Sequence, residues 1–124
     1  MLSRGSGELY SFLDSRHFLE QPYQPPAGFD NPCSVRYLQG LGVLDTGTVC
    51  IHCVHVGEEE AQILADTGTR VCLCPGSNRY LRVGIAPAGM FLARGILPAL
   101  GTDSAASNPE LSLWREMRLL REDH

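Results

Sequence analysis

Two side chains in the second half of the chain have the types and the placing to activate water. His52 lies in the apolar, β-branched run Thr48–His55, and Asp103 follows the run Ile96–Thr102. An imidazole and a carboxylate at neighbouring strand ends can hold a divalent metal or its bound water, because the cation lowers the pKa of that water. Plainer uses exist for both. A histidine near a strand end is commonly a satisfied structural residue, and Asp before Ser-Ala-Ala-Ser-Asn is an ordinary turn former. Alternation puts Cys50, His52 and Val54 on one strand face and Cys53 and His55 on the other, so His55 is expected against a helix. Ala99, Gly101 and Asp103 share a face by the same rule.

The five cysteines are Cys33, Cys50, Cys53, Cys72 and Cys74. An odd number without a secretory signal argues against a disulfide framework and for a reducing, cytoplasmic setting. Cys53 and Cys72-x-Cys74 could supply zinc thiolates, but the paired Cys-x2-Cys knuckles of structural zinc sites are absent. Four of the five sit in apolar, strand-like stretches, where a free cysteine behaves as a small buried hydrophobe.

The elements that must position these groups fall into two parts. Residues 1–47 read as a helical and loop-rich lead-in. Leu9, Phe12 and Leu13 give Gly7–Arg16 a helical stripe. Pro22, Pro25, Pro26 and Pro32 make Gln21–Pro32 an extended connection. Ser34 then caps a helix carrying Val35, Leu38 and Leu41, ended by Gly40 and Gly42. Residues 48–124 read as βαβαβα. The strand Thr48–His55 leads to a helix opened by Glu58-Glu59-Glu60, where the macrodipole favours carboxylates. Its inward stripe is Ala61, Leu64 and Ala65, and Gly68 stops it. The strand Arg70–Cys74 closes at Pro75-Gly76 and gives way to a loop. Pro87 starts a helix through Arg94, Gly95 ends it, and Ile96–Thr102 is the third strand. Asn108-Pro109-Glu110 predicts the last helix start, with Leu113, Trp114, Met117 and Leu120 as its apolar face. Strands separated by helices argue for a parallel sheet with right-handed crossovers.

Composition narrows the function. The chain has 124 residues, 44% apolar and 19% charged, which suits one packed domain rather than disorder. Ten Lys and Arg against fourteen Asp and Glu give a formal charge of −4, without a basic run, so neither nucleic acid nor an anionic membrane is an expected partner. The apolar window Val83–Gly101 contains Arg94, Pro87 and Pro98, and reads as loop, helix and strand instead of a membrane span.

Several short motifs occur in a telling order. His52-Cys53-Val54-His55 is followed by Cys74-Pro75-Gly76-Ser77-Asn78, then Gly84-Ile85-Ala86-Pro87, then Gly101-Thr102-Asp103-Ser104-Ala105-Ala106-Ser107-Asn108, with Glu116-Met117-Arg118 closing. Together they resemble the C-terminal part of the catalytic barrel of the amidohydrolase superfamily. The branch is the chlorohydrolase and cytosine deaminase-like group, which includes S-adenosylhomocysteine, methylthioadenosine and aminodeoxyfutalosine deaminases. The resemblance implies an α/β fold corresponding to about strands six to eight, with their helices, of a metal-dependent (β/α)8 barrel. It implies that Asp103 is the metal-binding, proton-shuttling aspartate ending strand eight. His52 would be the strand-six histidine that orients the attacking water or polarises the substrate. Ser77, Asn78, Ser107 and Asn108 would lie at the barrel mouth, within reach of substrate. One divalent metal, zinc or iron, and a small heterocyclic substrate are implied for the complete protein.

The resemblance is also incomplete. The family's His-x-His pair of strand one has no counterpart, and its strand-five histidine is expected upstream of residue 1. His17-Phe18-Leu19-Glu20 imitates the His-x-x-Glu found there, but a helical stretch precedes it and a proline-rich loop follows, which favours a surface residue. A site of this type needs about four protein ligands, and such a barrel typically needs about 250 residues. The chain is therefore expected to be a fragment of a hydrolase acting on C–N bonds, inactive alone. The alternative is a non-catalytic, truncated relative that self-associates through exposed strand edges.

Overall fold

A computed structural model of the chain describes residues 7–18 and 33–124. It divides into two compact units, Met1–Tyr37 and Leu38–His124. In the first, helix α1 spans Glu8–Ser15. Gly5, Ser6, Glu20 and the connection Gln21–Pro32 lie outside the described residues. Helix α2, Ser34–Gly40, runs across the boundary between the units. It stops where Gly42 takes a φ of +69°, a left-handed conformation that costs glycine little.

The second unit carries three short strands, β1 (Val49–Ile51), β2 (Arg70–Leu73) and β3 (Ala99–Leu100), in the order β1-β2-β3, all parallel. Between them lie helices α3 (Glu58–Asp66), α4 (Pro75–Leu81) and α5 (Ala88–Ala93), and α6 (Leu113–Asp123) closes the chain. This is the expected α/β alternation. Helix α3 begins where predicted: the Gly57 N–H donates to Glu60 Oε2 at 2.6 Å, and Glu58, Glu59 and Glu60 fill the first turn. Gly68, with φ +67°, follows its last turn.

Four local expectations are corrected. The first strand ends at Ile51 rather than His55, because His52 and Cys53 both turn left-handed (φ +69° and +47°); His55 is consequently exposed rather than packed against a helix. The segment after Pro75 is helical, not a loop: proline at the first position needs no N–H partner, and the Asn78 N–H donates to Cys74 O at 3.0 Å. The last helix starts after Ser112, whose Oγ accepts from the Arg115 N–H, and not at Asn108-Pro109, because the Asn108 side chain is drawn inward. Its buried residues are Glu116 and Leu119, whereas Leu113, Trp114 and Met117 are exposed.

Alternation along β2 splits the sheet into two faces. Val71 and Leu73 are buried together with Ala61 and Leu64 of α3 and Phe91 of α5. The other face carries Val49, Ile51, Cys72 and Ala99, brought level by the register Ile51↔Cys72↔Ala99. There Val49 and Ile51 are 50% and 57% exposed. No helix among the described residues is long and apolar enough to cross a membrane.

Candidate functional site

The strands of a parallel sheet end at the same rim, and this rim gathers His52, Ser77, Asn78, Asp103 and Ser107. His52 directly follows β1. Its N–H still donates to Cys72 O at 2.9 Å, and then the backbone turns left-handed. Asp103 lies three residues beyond β3 and is left-handed as well, with φ +58°. Such conformations cost about 1–3 kcal/mol at a residue with a Cβ, and they concentrate where a fold re-aims side chains for function. Gly101 lets the third strand approach its neighbour: a Cβ there would stand 3.0 Å from Cys72 Sγ and 3.3 Å from Cys74 Sγ.

The re-aimed side chains meet. His52 Nε2 lies 3.6 Å from Asp103 Oδ2, and the two side chains are 37% and 31% exposed. The separation exceeds a hydrogen bond. His52 Nδ1 is 3.0 Å from Asn78 Oδ1; with that carbonyl oxygen accepting, the ring proton sits on Nδ1 and the Nε2 lone pair faces the carboxylate side. Asp103 Oδ2 accepts from Ser77 Oγ at 2.7 Å and from Ser107 Oγ at 2.9 Å, and those two hydroxyls lie 3.0 Å apart. The Ser77 hydrogen bond and then that of Ser107 hold the Asp103 carboxyl below its ordinary 3.8 against the opposing effect of desolvation, with the Ser104 backbone and the nearby His52 adding less than either.

Behind the rim lies a buried polar layer. Asn108 is 1% exposed and its amide is fully engaged within the chain: Nδ2 donates to Thr102 O and to Glu116 Oε1, both at 2.8 Å, and Oδ1 accepts from Arg115 Nη1 at 2.9 Å. Glu116 Oε2 accepts the Gly76 N–H at 2.7 Å. Of the residues expected at the mouth, Ser77, Asn78 and Ser107 thus contact Asp103 or His52 directly, whereas Asn108 stands one layer behind. Gly76 and Glu116 stand in the motifs that carry the resemblance but have no role assigned from sequence, and Arg115 is not singled out there. The available signal was the spacing of Glu116 and Leu119 on one helical face.

Imidazole nitrogen and carboxylate oxygen are the right donors for zinc or iron, and an Nδ1–H held by a carbonyl is the usual support of a ligating or water-orienting ring. They make a partial set. Among the described residues no group of three or more His, Cys, Asp or Glu side chains is placed to hold a metal ion. His17, in the first unit, is exposed. Burial pushes the Cys53 thiol up to about 12 and the Cys74 thiol up to about 11, so both are poor thiolate donors near neutrality.

Comparison with known proteins bears on the family of the chain. The model of the amidohydrolase family matches residues 27–124. The 5-methylthioadenosine/S-adenosylhomocysteine deaminase of Nitratidesulfovibrio vulgaris (strain DP4) is 48% identical over 83 residues, which is 67% of this chain and 19% of that protein. The 5'-deoxyadenosine deaminase of Methanothermobacter thermautotrophicus is 42% identical over 84 residues, 68% of this chain and 20% of that protein. Among solved structures, a zinc-bound adenosine deaminase from Xanthomonas campestris superposes with a TM-score of 0.67 at 29% identity, covering 82% of this chain and 22% of its own. The chain thus spans about a fifth of the length of the relatives it matches.

Proposed function

We infer, from the rim geometry and from the fact that the chain belongs to the amidohydrolase family, that it supplies one side of a hydrolytic deaminase site. The whole protein would act on a C–N bond of a purine nucleoside or related heterocycle. The observation that carries this reading is the approach of His52 Nε2 to Asp103 Oδ2 across 3.6 Å, with the strand ends turned left-handed to produce it.

Each residue has a role in that reading. Asp103 would hold the divalent metal through its carboxylate; when bound, zinc or iron lowers the pKa of water so that a nucleophile exists at neutral pH. Ser77 and Ser107 fix the carboxylate rotamer and keep it charged. Asp103 takes the proton of the attacking water and passes it to the departing nitrogen, so that the amino group leaves as ammonia. His52, its tautomer fixed by Asn78, presents the Nε2 lone pair to a proton of the same water, and only as the imidazolium would it donate to the reacting carbon's nitrogen neighbour. Ser77, Asn78, Ser107 and Asn108 shape the mouth, Asn108 by holding the loop that bears Ser107. Two similar relatives are named for adenosine derivatives, 5-methylthioadenosine/S-adenosylhomocysteine and 5'-deoxyadenosine, which supports a substrate of that class.

The test is made at two levels. In a protein that completes the barrel around this segment, Asp103→Asn is expected to lower ammonia release from 5-methylthioadenosine by about 10²–10⁴-fold, the usual contribution of a positioned acid–base group. In the chain itself, Zn2+ should shift the NMR signals of His52 and Asp103 weakly and saturably, and the shifts should vanish in Asp103→Asn. Zinc-induced shifts that spare both residues defeat the reading.

A second reading is favoured by the half-exposed Val49 and Ile51 on the edge strand β1. Here the chain is a non-catalytic relative that associates with another copy through its open strand edge. Sedimentation separates the two: a concentration-dependent dimer without zinc-responsive shifts at His52 supports the interaction module.

A further inference from the structure

We propose that Glu116, wholly buried in α6, is a positioning residue for the candidate site: its carboxyl group ties the first turn of α4, which bears Ser77 and Asn78, to the loop bearing Asp103 and Ser107. The inference rests on reading Asp103 and His52 as the water-activating pair. Glu116 touches neither of them. Its Oε2 accepts the Gly76 N–H at 2.7 Å, and its Oε1 accepts from Asn108 Nδ2 at 2.8 Å. Gly76 immediately precedes Ser77, and Asn108 immediately follows Ser107. Those serines are the two hydroxyls that converge on Asp103 Oδ2. One carboxyl group therefore sets the spacing of both, and through Asn78 it sets the support of His52 Nδ1 as well.

Two further observations point the same way. A Cβ at Gly76 would overlap Glu116 Oε1 and stand 2.9 Å from Asn108 Nδ2, so the backbone can come this close only as glycine. Helices α4 and α6 are also joined without Glu116, through Arg79 to Glu122 and Asp123 and through an Arg79 Nη2 bond to Leu119 O. What Glu116 adds is aim. An apolar residue would fill the same volume, but it would leave the Gly76 N–H and the Asn108 amide to seek other partners.

The experiment compares Glu116→Gln and Glu116→Leu with the unaltered chain, metal-free and at fixed pH. Gln keeps the shape, but its NH2 must face one of the two donors, so one hydrogen bond is lost; Leu loses both. Exchange of the Gly76 amide, measured against the Val71 and Leu73 amides of the same sample, should speed up about tenfold in Glu116→Leu, the size of one lost hydrogen bond, and in Glu116→Gln either the Gly76 amide or the Asn108 side-chain amide should speed up by that amount. The His52 ring nitrogen signals should move toward those of a ring without the Asn78 contact. Leu64→Ala, destabilised through the apolar core, should leave the His52 signals in place. Folded Glu116 variants with unchanged His52 signals overturn the proposal. Should neither variant fold, exchange in the unaltered chain decides: Gly76 N–H and the Asn108 side-chain amide should share one protection factor, and solvent-like exchange at either one overturns it. Because no metal is present, failure to bind zinc defeats the proposed function and leaves this result standing.

Discussion

The two faces of the sheet are built from similar residues and meet different surroundings. Val71 and Leu73 on one face are at most 1% exposed, as are Leu64 of α3 and Phe91 of α5. Val49 and Ile51, one strand away on the opposite face, stay half exposed beside Cys72 and Ala99. The stability of this unit therefore comes from one side of the sheet, since buried apolar area is the main favourable contribution to folding. The polar rim sits where the faces meet, and it is held by hydrogen bonds to Glu116 and Asn108 rather than by apolar cover. Among the described residues the helix-side face is buried, and the strand-side face is half exposed at Val49 and Ile51.

The strongest way to break that comparison is a matched pair of truncations. Leu64→Ala opens a cavity in the covered layer and is expected to cost about 2–5 kcal/mol in urea unfolding. Ile51→Thr, on the bare face, keeps a β-branched side chain and removes exposed apolar surface, so its effect should stay within about 0.5 kcal/mol. Equal losses at the two positions would mean that the bare face is covered in solution, and the association reading would then gain.

How much of this was legible in the sequence follows the same division. The parallel βαβ order, the Glu58–Glu60 helix start and the Gly68 stop are local signals, and the structure contains each of them. His52 and Asp103 could be placed near strand ends because apolar runs precede them, although their left-handed turns could not be foreseen from a His and an Asp. Ser77, Asn78, Ser107 and Asn108 were found through a family resemblance, since small polar residues after Pro-Gly read as turn. That composition also hid α4. Helix α6 was misread for a plainer reason: Leu113, Trp114 and Met117 look like a core stripe, and a glutamate looks like a solvent face. Only the partners Gly76 and Asn108, each distant in sequence or set in a loop, make Glu116 the inward residue.

A smaller effect sharpens the picture on the strand side. Cys53 stays a thiol up to about 12 in the folded chain, chiefly by desolvation, whereas an unfolded cysteine ionises near 9.0. The folded state therefore binds its proton more tightly. This contribution is constant below 9.0 and is lost as pH rises from there toward about 12, because the unfolded state gains the thiolate first. Denaturation midpoints should fall across that window, and Cys53→Ser should flatten the fall. At neutral pH a thiol reagent should modify Cys53 and Cys74 far more slowly in the folded chain than in urea.

The smallest effect belongs to the rim and runs in the opposite direction of pH. Asp103 is held below 3.8 first by the Ser77 hydroxyl and then by Ser107, so in the folded state it keeps its charge to lower pH than in the unfolded chain. Its contribution to stability is complete above about that value and disappears as pH falls from 3.8 toward the lower folded pKa, because the unfolded state takes up the proton first. Solvent reaches the carboxylate, so the change is screened and modest. Ser77→Ala removes the largest of the stabilising hydrogen bonds and should return the Asp103 carboxyl signal, followed by NMR between pH 2 and 5 (a window of about one to two units either side of the reference value), toward the ordinary titration. An Asp103 curve that does not move in Ser77→Ala would show that the serine does not hold the carboxylate, and the rim would lose the feature that most separates it from an ordinary turn.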